Sequence, residues 1–295
     1  MTAARFGQFI AIDWSGARGE RHKGIAIASC RLDGGAPVLL KRESGWSRAD
    51  VLAMLRSDLA DDTLVGLDLG IALPFVDAGA YFPGWPDSPP DCRRLWALVD
   101  DLCAGDLHLG ADGVVDHPAL SAYFRRHGGR EGNRFHLAGA HHLRGRLRLT
   151  ELWQERQGCK PYSNFNLVGA AQVGKASLTG MRVLHRLQGC AAVWPVDPLP
   201  SSGPVITEIY TALAAIAAGR TAARSKITDG DMLDHALATL GSRQIGQRGA
   251  IDDHSADALI TAAWLRTVAH DETLWHPPAL TEKIAATEGW TFGVR

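Results

Sequence analysis

The chain has 295 residues, 46% of them hydrophobic, and its 31 Lys and Arg against 32 Asp and Glu give a net charge of -1. That length allows one large domain or two small ones around a sizeable core, and the charge excludes a histone-like polycation while leaving room for a local basic patch. No apolar run reaches the roughly 18 residues of a membrane helix, no signal-peptide layout is present, and Cys30, Cys92, Cys103, Cys159 and Cys190 form no CxxC, so a reduced, cytoplasmic protein without a disulfide framework is expected.

Residues 6–13 are a short apolar run closed by Asp13 and followed by Gly16 and Gly19, which reads as a buried strand. Residues 25–28 and 38–40 read as further strands on either side of a turn at Asp33, Gly34 and Gly35, and the three form an antiparallel meander. Ser47 caps a helix whose apolar positions Val51, Leu52, Leu55 and Leu59 follow the helical period. Residues 64–68 are a further apolar strand, closed by Asp68. A strand reached through a helix joins its sheet by a right-handed crossover, so the order predicts an α/β fold with a mixed sheet, antiparallel over its first three strands and parallel after them.

Residues 75–200 break this rhythm. Pro74, Pro83, Pro86, Pro89 and Pro90 mark an irregular exit from the strand, and helical patterns follow at 91–102 and 143–157. The stretch is expected to be a helical insertion within a single domain spanning 1–295. The strand pattern resumes at 205–209, an Ala-rich helix follows at 211–218, and a last long helix covers about 253–269 after a flexible, glycine-bearing stretch at 241–249.

Four acids stand where element ends should place them: Asp13, Asp68, Glu208 and Asp257. Carboxylates closing adjacent central strands project from one end of a sheet, where they repel unless a cation neutralises them. Oxygen-only clusters suit Mg²⁺ or Mn²⁺, and such ions activate water and stabilise the leaving oxygen in phosphodiester hydrolysis. The plain alternative is four solvated strand-end or cap residues. In the last helix Ala256, Leu259, Ile260 and Ala263 make an apolar stripe with Asp257 on its edge, Asp253 one turn earlier and His254 to its other side. Asp252 is accounted for by the helix dipole alone; Asp253 and Asp257 are candidate ligands, and His254 an auxiliary ligand or proton shuttle.

Taken together, Asp13 after the first strand, Asp68 in GLDLGIALP (66–74), Glu208 in TEIY (207–210) and DDHSADAL (252–259) resemble the motifs of the DUF429 family of predicted nucleases with a ribonuclease H-like fold. The closing helix is also similar to that of RuvC-type resolvases. The likeness covers 6–74 and 204–269, and more loosely 165–184. It implies helices on both faces of the sheet and a divalent-metal nuclease, with Asp13, Asp68, Glu208, Asp253 and Asp257 on the metal.

Between residues 121 and 160 nine Lys and Arg face three Glu. Arg125, Arg126, Arg144, Arg146 and Arg148 belong to this patch, with His127, His136, His141 and His142 interleaved, and a nucleic-acid backbone is the partner such a patch suggests. The alternative is a solvated helix face on which Glu151 and Glu155 pair with arginines. Residues 169–177 approach GxxxxGK[ST], but Ala176 stands where the metal-binding hydroxyl belongs, so a helix containing Gln172 and Lys175 is the simpler expectation. A hydroxyl and a glycine after a strand-end acid, here Ser15 and Gly16 after Asp13, also occur in actin-like and sugar-kinase ATPases, which makes an ATP-dependent phosphotransferase one rival to the nuclease. A non-catalytic nucleic-acid-binding module is the other.

Overall fold

A computed structural model describes residues 5–137, 144–169, 172–221 and 226–295. The meander forms as expected from β1 (Gln8–Asp13), β2 (Ala26–Arg31) and β3 (Val38–Leu39). Ser47 caps α1 (Arg48–Ser57) through a reciprocal box with Asp50, and β4 (Thr63–Asp68) returns parallel to β1. After an irregular exit come α2 (Cys92–Leu102), α3 (Asp112–Val115), a two-rung hairpin of β5 (Arg125–Arg126) and β6 (Arg130–Glu131), α4 (Leu149–Arg156) and α5 (Val173–Arg186). Then β7 (Ala192–Trp194) and β8 (Val205–Glu208) rejoin the main sheet, followed by α6 (Thr211–Ala217), α7 (Gly230–Thr239), α8 (Asp253–Val268), α9 (Glu272–Trp275) and α10 (Glu282–Thr287).

The central sheet is six-stranded and mixed, in the order β3-β2-β1-β4-β8-β7. β1, β2 and β3 are antiparallel, whereas β1, β4, β8 and β7 are parallel. Both faces are covered, because alternate residues of each strand enter different cores. Ile10, Ile12, Val65 and Leu67 pack with Val51 of α1, Trp96 of α2 and Met181 of α5. Phe9, Ala11, Ala28 and Leu64 pack with Leu213 of α6, Leu237 of α7 and Leu259 of α8.

Some expectations change in detail. The stretch at 75–200 is not wholly helical: it holds the β5–β6 hairpin and ends in β7, a strand of the main sheet. The helix expected at 143–157 spans only Leu149–Arg156, with Arg148 as its N-cap; His141, His142 and Leu143 lie outside the described residues. The glycine-bearing stretch at 241–249 is held down, because Asp234 accepts the Ile245 N–H at 2.8 Å and the Gly230 N–H reaches the Gly249 carbonyl. None of the five cysteines is in a disulfide. Among the described residues, no helix is long and apolar enough to cross a membrane.

α8 positions the site. It is not the one-sided amphipathic helix its stripe suggests, since every residue from Ala258 to Arg266 is buried. Its alanines lie over the small residues Ala11, Ala26 and Ala28 of β1 and β2, which brings the helix close to the sheet. Gly66 of β4 allows the same approach: a Cβ there would stand 2.7 Å from Ile209 and 3.0 Å from Leu265. Asp252 caps α8 by accepting the Ser255 N–H at 2.9 Å. Asn caps equally well, so Asp252→Asn is expected to leave the thermal midpoint nearly unchanged, while Asp252→Ala should cost about 1 kcal/mol in denaturant titrations.

Candidate active site

β1 and β4 are in parallel register with Asp13 opposite Asp68, so both acids leave the same end of the sheet. The opening of α8 arrives at that end. His254 Nδ1 lies 2.6 Å from Asp13 Oδ2, and Asp257 follows one turn later. Asp13 is 8% exposed, whereas Asp68 and Asp257 are half-buried and the His254 ring is about half exposed.

The electrostatics are those of neighbouring buried acids with a single close counter-charge. Burial pushes all three carboxyl groups toward protonation. The charges of Asp13 and Asp257 push Asp68 further, and those of Asp13 and Asp253 help to bring Asp257 to about 7. Against this, Asp68 accepts from Thr211 Oγ1 at 3.3 Å, and Asp257 has no hydrogen bond or ion pair among the described residues. Only Asp13 has a close counter-charge: its hydrogen bond holds the His254 ring above the usual histidine range.

The two other expected ligands already have cationic partners. Glu208 closes β8, but Arg148 grips it through two bonds of 2.8 and 2.6 Å, the Ile71 N–H donates to Oε2 and Thr291 donates to Oε1. Asp253 sits at the rim and pairs with Lys226. Asp13, Asp68 and Asp257 are oxygen donors of net negative charge, the chemistry that a divalent ion neutralises. Among the described residues, however, no three His, Cys, Asp or Glu side chains stand together as a ready ligand set.

A cavity of about 320 Å³ opens beside the acids, lined by Asp68, His254, Glu208, Tyr210 and the turn from Trp14 to Ala17. Two contacts hold that turn. Trp14 Nε1 donates to Thr179 of α5 at 3.0 Å, and the buried Arg48 guanidinium donates to the carbonyls of Ser15 and Ala17.

The basic patch changes most. Arg146 is buried, bonded to Asp77 and to the carbonyls of Pro74, Ala80 and Tyr81. Arg148 is buried between Glu151 and Glu208, and Arg144 is drawn to Glu155 and the Pro161 carbonyl. Arg146 and Arg148 therefore cannot meet a phosphate backbone, while Arg125, Arg126 and Arg130 remain accessible. Composition registers the charge excess but not which guanidiniums the core consumes.

The P-loop-like run is helical from Val173, with Gln172 as N-cap and Lys175 in the first turn. The Gly174 N–H is spent on the Asn166 carbonyl, and no strand of the central sheet leads into the run; Ala170 and Ala171 lie outside the described residues. Among the described residues there is one large sheet, whereas the ATPase rival needs two similar sheet domains. No family model, curated protein or solved structure matches the chain.

Proposed function

We propose that the protein hydrolyses phosphodiester bonds of nucleic acid with a divalent metal ion. The observation that carries this reading is the departure of Asp13 and Asp68 from one end of the sheet, beside the opening of α8 with His254 and Asp257, where burial and mutual repulsion raise Asp68 and Asp257 and only Asp13 has a close counter-charge. Resemblance to the DUF429 motifs supports the same reading, as does the single sheet. Asp13, Asp68 and Asp257 would hold Mg²⁺ or Mn²⁺, which when bound activates water and stabilises the leaving oxygen. Asp13 orients the His254 ring through Nδ1, leaving Nε2 without a partner among the described residues in a side chain that lines the cavity. His254 is thus placed to give a proton to the departing oxygen. Glu208 keeps Arg148 and Ile71 in place behind the acids.

The experiment is Mn²⁺ titration calorimetry together with cleavage of a panel of DNA and RNA substrates. The parent should bind Mn²⁺ and cleave, and Asp68→Asn should weaken Mn²⁺ binding. His254→Ala should lower cleavage about 10²–10⁴-fold, the range for loss of a proton-transfer group, with Mn²⁺ affinity little changed. A parent that neither binds Mn²⁺ nor cleaves any substrate overturns the reading.

A further inference from the structure

Two further cavities adjoin the one beside the acids. Gly16 and Ala17 line both it and a second cavity of about 300 Å³. Arg18, Asp112, Val115 and Lys175 line both the second and a third cavity of about 470 Å³. Shared lining residues set the three side by side as a groove-like row from Asp68 and His254 to the β5–β6 hairpin.

The far section of the groove is cationic. Arg18, Arg126, Arg130 and Lys175 line it against Asp112 and Asp116, with His127 beside them. Two of these cations rest in exposed ion pairs, Arg18 with Asp112 at 3.0 Å and Arg126 with Asp116 at 3.8 Å. Pairs of this kind contribute about 0–1 kcal/mol, so a phosphate can displace them. The side chains of Arg130 and Lys175 have no partner among the described residues.

Packing fixes the wall that carries these charges. Gly16 lies against the first turn of α5, where a Cβ would come within 2.4 Å of the Lys175 and Ala176 backbone. Only glycine admits that contact, and it sets Lys175 next to the turn that follows Asp13. Arg48 holds the same turn from below, donating also to the His108 carbonyl at 2.9 Å. Arg18 thus projects from a braced loop and Lys175 from a helix.

We propose that this groove holds the phosphates of a nucleic-acid strand on one side of the bond presented to the acid trio, so that the substrate is a polynucleotide and not a mononucleotide or a small diester. The position of the bond rests on the nuclease reading; the binding of the strand rests on the groove alone. Four cations on four phosphates give a salt slope of about -3 for a single strand, at roughly 0.7 per contact.

The test is fluorescence anisotropy in EDTA, with dye-labelled 12-nucleotide DNA and RNA strands over a series of salt concentrations. The double variant Arg130→Gln/Lys175→Gln should bind more weakly and flatten the slope by about 1.4. Lys283→Gln, an exposed position on α10 outside the groove, should keep the parent slope. A parent that binds neither strand overturns the proposal, as does a double variant with the parent's slope. Binding and cleavage are scored separately. A parent that cleaves with Mn²⁺ while its slope ignores the double substitution refutes the groove and keeps the nuclease. A parent whose slope responds but which cleaves nothing keeps the groove and refutes the nuclease.

Discussion

Asp257→Asn is expected to fold, to be more stable than the parent in metal-free buffer at neutral pH, and to hydrolyse nucleic acid on the order of 10³-fold more slowly, since losing a charged ligand of a catalytic ion removes several kcal/mol of transition-state stabilisation. The stability gain has a definite pH dependence. Burial, with the charges of Asp13 and Asp253, raises the Asp257 carboxyl to about 7 from 3.8. An unfolded chain therefore ionises this group near pH 4, while the folded protein resists until about pH 7. Between those values the unfolded state binds fewer protons, so the folded parent loses stability as pH rises, and the loss is complete above 7. At 1.36 kcal/mol per pKa unit, the penalty is on the order of 2–4 kcal/mol at pH 7.5 and small at pH 4. Asn carries no charge, so the variant should gain on the parent across that window. Urea melts in EDTA at pH 4, 5.5 and 7.5 measure the gap. A gap that is absent, or that closes as pH rises, refutes the charge clustering. A variant that cleaves as well as the parent refutes the role of Asp257 in hydrolysis. Saturating Mn²⁺ should stabilise the parent more than the variant, because a ligand of the folded state shifts unfolding by mass action.

Arg148→Ala is expected to be the most destabilising single change at any residue of the basic stretch, costing about 3–5 kcal/mol. Arg148 is 1% exposed and donates to Glu151, to both oxygens of Glu208 and to the Glu288 carbonyl. Its removal strands two buried carboxylates, and an unpaired buried charge costs more than the pair contributed. Arg148→Lys should recover little, because an ammonium cannot reproduce the planar fork that spans Glu151 and Glu208. Combining Arg148→Ala with Glu208→Gln should restore part of the loss by removing one stranded charge, and a double-mutant cycle in urea reads that coupling. A wild-type denaturation midpoint in Arg148→Ala, accompanied by weakened nucleic-acid binding, would place this arginine on the surface after all.

The legibility of the molecule divides along the range of its interactions. Asp13 and Asp68 were readable because each closes a short apolar run, and strand-end position follows from local pattern alone. Asp257 was readable because it sits among the apolar residues of a long helix. That Asp13 and Asp68 leave the same end of the sheet followed once the order of strands and helix implied a mixed sheet with parallel strands after the meander. Glu208 shows where local reading ends. It too closes an apolar strand, yet its partners Arg148, Thr291 and Ile71 lie 60, 83 and 137 residues away in sequence, and nothing near Glu208 announces them. Arg146 fails in the same way: its charge was visible, but the carbonyls of Pro74, Ala80 and Tyr81 that consume it lie in a proline-rich exit with no regular period. β7 escaped because three residues are too few to show alternation. α7 carried its signal openly, with Asp229 as cap and Leu233, Ala236, Leu237 and Leu240 on one face. Arg18 and Lys175 gain meaning only through the contact of Gly16 with α5, a matter of packing between distant segments.

Asp13 bonds His254 across 241 residues. A ribosome extruding this chain therefore releases the early strands, with Asp13 and Asp68 already in them, long before it makes the helix that carries His254 and Asp257. The later segments finish the buried framework as well: Glu288 receives the N–H groups of Phe75, Val76 and Leu149, and Thr291 reaches Glu208. A nascent chain halted before α8 thus carries Asp13 and Asp68 without His254 or Asp257. The framework closes late in translation, when the last helices dock onto strands that emerged first.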